Sequence, residues 1–280
     1  MKRRQLSRGL SHRFLSDLEG HGMNERLAQV VGKDRYVRYM WMVRLRELVP
    51  ILGESDEESQ ARKTMGAGLY FSHPEAYQFL GEELGGSSEY DEQIGRFFRK
   101  GALSEEVLVS HRQREHALVW MPAISLSAMR ALLPEGFFPK HHNDFVWPLG
   151  YETIWSQQVI EPGFRFIGTE FIEGSIGKSE RVQTQLLRGL EYIPHPCEVA
   201  YFQLLTWLTC GRTAFQSSSM NVRCVYSNPG GSTGRVQQRF VPYRREYGPN
   251  GNTGFWFGPD SNSVENTGVG IVSCERVMVS

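Results

Sequence analysis

Three absences narrow the reading of this 280-residue chain before any positive signal is used. Cysteine is scarce: Cys197, Cys210, Cys224 and Cys274 are the four, and no two form a C-x-x-C pair. That excludes a zinc ribbon or thioredoxin-type motif, and it argues against a disulfide framework in a chain this long. Reduced, buried thiols and a cytoplasmic setting are the expectation. Long apolar runs are missing too. No stretch nears the ~18 residues needed to span a bilayer, and the basic start Met1–Leu10 lacks the apolar core of a secretory signal, so no membrane association is expected. Histidine is missing after His195, and neither H-E-x-x-H nor H-x-x-E-H occurs, which removes the common zinc-hydrolase spacings. No cofactor is expected, and no metal.

Charge of either sign is balanced overall at zero, but not along the chain. Residues 1–50 carry 11 Lys/Arg against 5 Asp/Glu, a local +6, and residues 51–110 carry 5 against 12, a local −7. Two consequences are open: the two blocks neutralise each other, or the basic one presents a surface to an acidic protein or a nucleic acid.

Periodicity divides the chain near Pro134. Residues 1–133 read as helices. Val37, Trp41, Leu45, Leu48 and Leu52 form a stripe on a helix over Lys33–Val49, with Arg35 and Arg46 on the opposite face and Pro50 ending the pattern. Ser55 with Glu58, and Ser72 with Glu75, fit capping boxes. Ser88 and Ser125 suit further helix starts, and Ser104 suits one running to Trp120. Residues 134–280 read as β-rich. Gly163–Glu173 and Arg181–Ile193 are expected to pair as antiparallel strands around a Gly174–Glu180 loop. One helix is expected near 196–209, opened by Pro196. Later strands are divided at Asn228-Pro229-Gly230-Gly231, at 248–252 and at 258–260. The fold class is therefore α+β, a helical N-terminal half followed by a mixed, largely antiparallel β-rich half, with no βαβ alternation.

Four constellations carry potential chemistry. His111 and Glu115, four apart on the expected 104–120 helix, are expected to be buried and hydrogen-bonded; with His141 they could offer a divalent metal imidazole and carboxylate ligands. Cys197 falls in the first turn of a helix, where the dipole favours a thiolate, and a histidine such as His141 or His142 would have to serve it as base. The competing expectation is a quiet structural thiol. Gly230-Gly231-Ser232-Thr233-Gly234-Arg235 lacks the Gly-Lys-Ser/Thr ending of a phosphate loop and reads as a hairpin turn. Arg239, Arg244 and Arg245, beside Phe240 and Tyr243, resemble a strand that could follow a nucleic-acid backbone, and with Arg35 and Arg46 they are the candidate binding residues. No catalytic constellation is complete. The leading expectation is a non-enzymatic binding or interaction protein. The alternatives are a hydrolase built on Cys197 or on a metal at His111/Glu115/His141, and a nucleic-acid-binding protein.

Overall fold

In the computed structural model the described residues are 55–66, 68–80, 87–132, 145–146, 156–210, 214–215, 221–225, 233–239, 254–259 and 269–278. They form α1 (Asp56–Met65), β1 (Tyr70–Phe71), α2 (His73–Leu80), α3 (Ser87–Arg99), α4 (Glu105–Gln113), β2 (His116–Met121), α5 (Leu126–Leu132), β3 (Phe145–Val146) and β4 (Gly163–Gly168). There follow α6 (Glu180–Thr184), α7 (Pro196–Cys210), β5 (Asn221–Val225), β6 (Thr233–Arg239), β7 (Gly254–Pro259), β8 (Val269–Gly270) and β9 (Cys274–Arg276). The class is α+β. Among the described residues no helix is long and apolar enough to cross a membrane.

The strands form two mixed sheets. The first has the order β1-β2-β4-β9 and the second β3-β7-β6-β5-β8. In the first, β2 pairs antiparallel with β4 from His116↔Gly168 to Met121↔Gly163, and β4 pairs antiparallel with β9. Both β2 and β4 are buried along their whole length, so each face of this sheet is covered. One face carries Tyr70, Leu118, Trp120, Phe164 and Phe166. It packs with Ala61 and Met65 of α1, Tyr90 and Phe97 of α3 and Leu108 of α4. The other face meets α7, with Phe71 edge-on to Phe202 at 5.8 Å. α7 also contacts β5 and β6 of the second sheet, and its described residues are buried on every side. A helix apolar all round belongs in an interior, and this one lies between two sheets.

The segment 269–276 ties the sheets together. β8 pairs in parallel with β5 of the second sheet, and after three intervening residues β9 pairs with β4 of the first. Every residue from Val269 to Cys274 is buried. A strap over 171–183 holds this segment: Ile172 N donates to Ile271 O, Gly177 N to Val269 O, and the Gln183 amide to both Ser175 O and Val269 O. Gly270 is required here. A Cβ on it would lie 2.4 Å from Phe171 Cδ1.

Local signals place several elements as expected. Ser55 Oγ accepts from Glu58 N while the Glu58 carboxylate accepts from Ser55 N, a complete capping box. Ser72 Oγ accepts from Glu75 N, but the Glu75 carboxylate pairs with Arg62 at 3.0 Å. Ser125 Oγ accepts from Ala128 N at the start of α5.

Two expectations are corrected. The helix from Ser104 stops at Gln113, Arg114 and Glu115 turn the chain, and His116–Trp120 belong instead to β2. Ala117-Leu118-Val119-Trp120-Met121 is a continuous apolar run, which suits a strand covered on both faces as well as it suits a buried helix. The reversal between them places Glu115 at φ 57°, the left-handed region. The Gly163–Glu173 and Arg181–Ile193 segments do not pair with each other. β4 pairs with β2 and β9, residues 180–184 form the short α6, and Tyr192 alone bridges to Cys274. Lys33–Val49 with Arg35 and Arg46, His141, His142, Arg244 and Arg245 lie outside the described residues.

Candidate functional site

Two buried polar clusters flank the first sheet. One sits at the start of α7. Pro196 occupies the first helical position, and the residue before it, His195, takes the place normally held by Ser, Thr or Asp. Its ring does the capping: Cys197 N donates to His195 Nδ1 at 3.2 Å. Reciprocally, Glu198 Oε2 accepts from His195 N at 2.8 Å, so the helix start is capped from both sides, the imidazole taking the second amide of the helix and the carboxylate of its third residue reaching back to the cap. Because Nδ1 accepts from the backbone, the ring proton resides on Nε2, which donates to Gln158 Oε1 at 2.9 Å. Burial lowers the His195 pKa to about 4 against a smaller opposing effect of Glu198.

The other carboxylate oxygen of Glu198 is the cluster's hub. It accepts from Arg165 Nε at 2.8 Å and from the Tyr192 hydroxyl at 2.8 Å. Arg165 projects from β4 towards α7 and is 3% exposed; its remaining donors reach Phe164 O at 3.1 Å and Glu161 O at 2.8 Å. Cys274 Sγ donates to the Tyr192 hydroxyl at 3.2 Å, which brings β9 into the same cluster. Burial, with Cys274 and Glu198 adding, pushes the Tyr192 phenol well above its ordinary pKa, so it remains a donor.

This geometry bears directly on Cys197. Its sulfur is wholly buried and donates to Gln158 O at 3.6 Å. Burial first, and the Glu198 charge second, hold the thiol well above its ordinary pKa, outweighing its place at a helix start. The neighbouring imidazole bonds to the Cys197 amide, and the lone pair that would accept a thiol proton is committed there. A thiolate–imidazolium pair therefore does not form between Cys197 and His195.

The second cluster joins α4, β2 and the 269–276 segment. His111 Nδ1 and His116 Nδ1 lie 3.0 Å apart, and His116 Nε2 lies 2.9 Å from Ser273 Oγ. The His111 ring stacks on Phe166 with centroids 3.5 Å apart and planes 2° from parallel. Both imidazoles are buried. Desolvation, with Arg114 nearby, lowers His111 to about 4; desolvation, Arg114 and His111 together lower His116 to about 3. Arg114 pairs with Glu191, and lies 4.0 Å from Glu275.

The expected partner of His111 is thus displaced. Glu115 is exposed, at the turn rather than on a helix face, and its carbonyl accepts from Thr169 N and Oγ1. Among the described residues no three His, Cys, Asp or Glu side chains gather as a metal site. Arg239 ends β6, where its backbone pairs with Gly254. β5 and β6 pair antiparallel from Val225↔Thr233, which places Thr233, Gly234 and Arg235 in β6, while Gly230, Gly231 and Ser232 lie outside the described residues. An open depression of about 600 Å³ is lined by Ser179, Glu180, Arg181, Thr184 and Gln185, none of them a member of either cluster.

Arg165, Tyr192, Glu198 and the His116–Ser273 pair were missed from sequence. A signal existed for two of them: Arg165 is a lone charge in an apolar strand, and Glu198 stands three residues after His195 at capping-box spacing. No family model, curated protein or solved structure matches this chain.

Proposed function

We propose that the chain is a non-enzymatic binding or interaction protein of the cytoplasm, with a helical first half, a β-rich second half and an acidic protein or nucleic acid as partner. One observation carries the non-enzymatic reading. The groups best suited to catalysis among the described residues are bonded to one another as structural joints: His195 caps α7, Cys197 lies beneath that cap, and His111 and His116 face each other behind Phe166. A nucleophile or base needs an unshared lone pair beside a substrate, and these imidazole and thiol groups have theirs turned inward. Cys197 and Cys274 are free thiols and, with Cys224, are buried, in keeping with a reducing compartment. The local +6 of residues 1–50 supports the choice of an acidic partner.

The test has two arms. A haloacetamide probe and a fluorophosphonate probe, applied to the folded protein near neutral pH, are expected to leave Cys197 and Ser273 unlabelled; stoichiometric labelling of either refutes the non-enzymatic reading. Retention on a heparin column across a salt gradient is expected to fall in Arg35→Glu/Arg46→Glu. Unchanged retention removes that face as the docking surface.

A further inference from the structure

The facing imidazoles of the second cluster have a limited capacity for protons, and it follows from their geometry. With both rings neutral, one N–H lies between the two Nδ1 atoms and the 3.0 Å contact is a hydrogen bond. A first added proton is accommodated without movement. His116 then donates from Nδ1 to His111 and from Nε2 to Ser273 Oγ, 2.9 Å away, while the His111 Nδ1 lone pair accepts. A second proton leaves two N–H groups pointing at each other across the same gap, on two cations, with no acceptor between them. The surroundings add no relief. Arg114, on the turn out of α4, is a third positive charge. The carboxylates that face this corner, Glu191 before Tyr192 and Glu275 on β9, are paired with Arg114. Phe166 from β4 offers only its ring. Arg112 and Glu115 are exposed, and Arg112 donates to Thr64 O.

We propose that His111 and His116 form a proton-counting latch, which holds the last turn of α4 against β2 while the pair carries one extra proton or none and releases it when both rings are charged. The turn that would move is the one that carries Glu115 in the left-handed region, so its release also relieves backbone strain. His116 is held on the other side by Ser273, and its strand is paired along its length with β4; the freer member is His111. The pair therefore titrates as a unit in two steps, the second coupled to opening.

NMR of the full chain, titrated from about pH 7 down to about pH 3, reads the latch. Ring signals of both histidines are expected to shift together in the first step while the amides of residues 109–117 stay protected. In the second step protection of those amides is lost, the open fraction rising about tenfold per pH unit at its onset. His111→Phe keeps a ring on Phe166 and removes the facing nitrogen; its amides should stay protected about a unit lower in pH. An unchanged onset in that variant overturns the proposal. If His111→Phe does not fold, the unmodified chain still decides: opening before the first imidazole step, or two independent steps with no opening, is fatal. Glu191→Gln and Glu275→Gln test the rival cause. If acid acts by freeing Arg114 from its carboxylates, these variants open near neutral pH and the latch is wrong.

Discussion

Replacing Glu198 by Gln removes one charge and keeps the shape, which makes it a sharp test of how the α7 joint is built. In the native protein Glu198 accepts three hydrogen bonds, from Arg165, the Tyr192 hydroxyl and His195 N. With its one oxygen kept on His195 N, glutamine turns an NH2 towards Arg165 and Tyr192 and leaves the Arg165 guanidinium, 3% exposed, with only the Phe164 and Glu161 carbonyls as acceptors. Stranding one half of a buried ion pair costs about 3–5 kcal/mol. Weakening the reciprocal cap adds up to about 1 kcal/mol. A loss of about 4 kcal/mol is a large part of the roughly 5–15 kcal/mol that holds a domain folded. Urea unfolding followed by circular dichroism measures it. The companion double variant, Arg165→Met with Glu198→Gln, removes the stranded cation while the amide oxygen still serves His195 N. It should recover at least about 2 kcal/mol of the single variant's loss, a coupling of the size seen for contacting buried pairs. A Glu198→Gln cost below about 1 kcal/mol, or a double variant as unstable as the sum of the singles, would refute the claim that a desolvated ion pair holds α7 to β4.

Further predictions rest on other features. Gly270→Ala should destabilise by about 1–3 kcal/mol, because the new Cβ collides with Phe171 and reaches within 3.2 Å of Ile176, and Gly270→Ala/Phe171→Leu should recover part of that in the same unfolding assay. Glu115→Gly should raise Tm, by about 0.5–1 kcal/mol of stability, since glycine adopts φ 57° without strain and the side chain it replaces is exposed; no gain in calorimetry would argue against strain at that turn. Stability should fall as pH drops from about 6.5 towards 4. His111, His116 and His195 have folded pKa values lowered to about 4, 3 and 4, so the unfolded chain binds more protons throughout that window, and their contribution is whole above the unfolded value. Near pH 5 unfolding should take up close to three histidine protons, roughly 4 kcal/mol per pH unit, visible as a shift of the urea midpoint with pH; a flat profile would mean the rings are not buried neutral.

What was legible in the sequence was what local chemistry decides. Ser55–Glu58 and Pro196 set helix starts because the partners stand within one turn. The α+β class followed from period changes along the chain. The strand His116–Met121 was not legible, because a strand buried on both faces shows no alternation and Leu118 and Val119 fit a helical stripe equally well. Nor was the pairing of β4: its aromatic and β-branched content shows a strand but not whether its neighbour is the next segment or one far along the chain. The clusters were half visible. Cys197 and His195 stood out, but their roles depend on Gln158, and on Glu198 and its remote partner Arg165. The expected His111–Glu115 pair failed because the helix ended two residues before Glu115, a boundary set by β2 pairing with β4 and not by α4 itself.

The segment from Val269 to Arg276 has a kinetic meaning beyond the bonds it makes. It borders both sheets and lays Ser273 against His116, a residue 157 positions away. Neither sheet can gain its last edge until that long loop has closed, and closure brings its entropic cost before any contact is returned. Folding of this unit should therefore be slow and end late, with helices formed early and the two sheets waiting on one strand. A chain held short of that step would show the unpaired edges of β4 and β5 to its neighbours, which makes the docking of 269–276 the event that separates a molecule with covered sheet edges from one prone to edge-to-edge association.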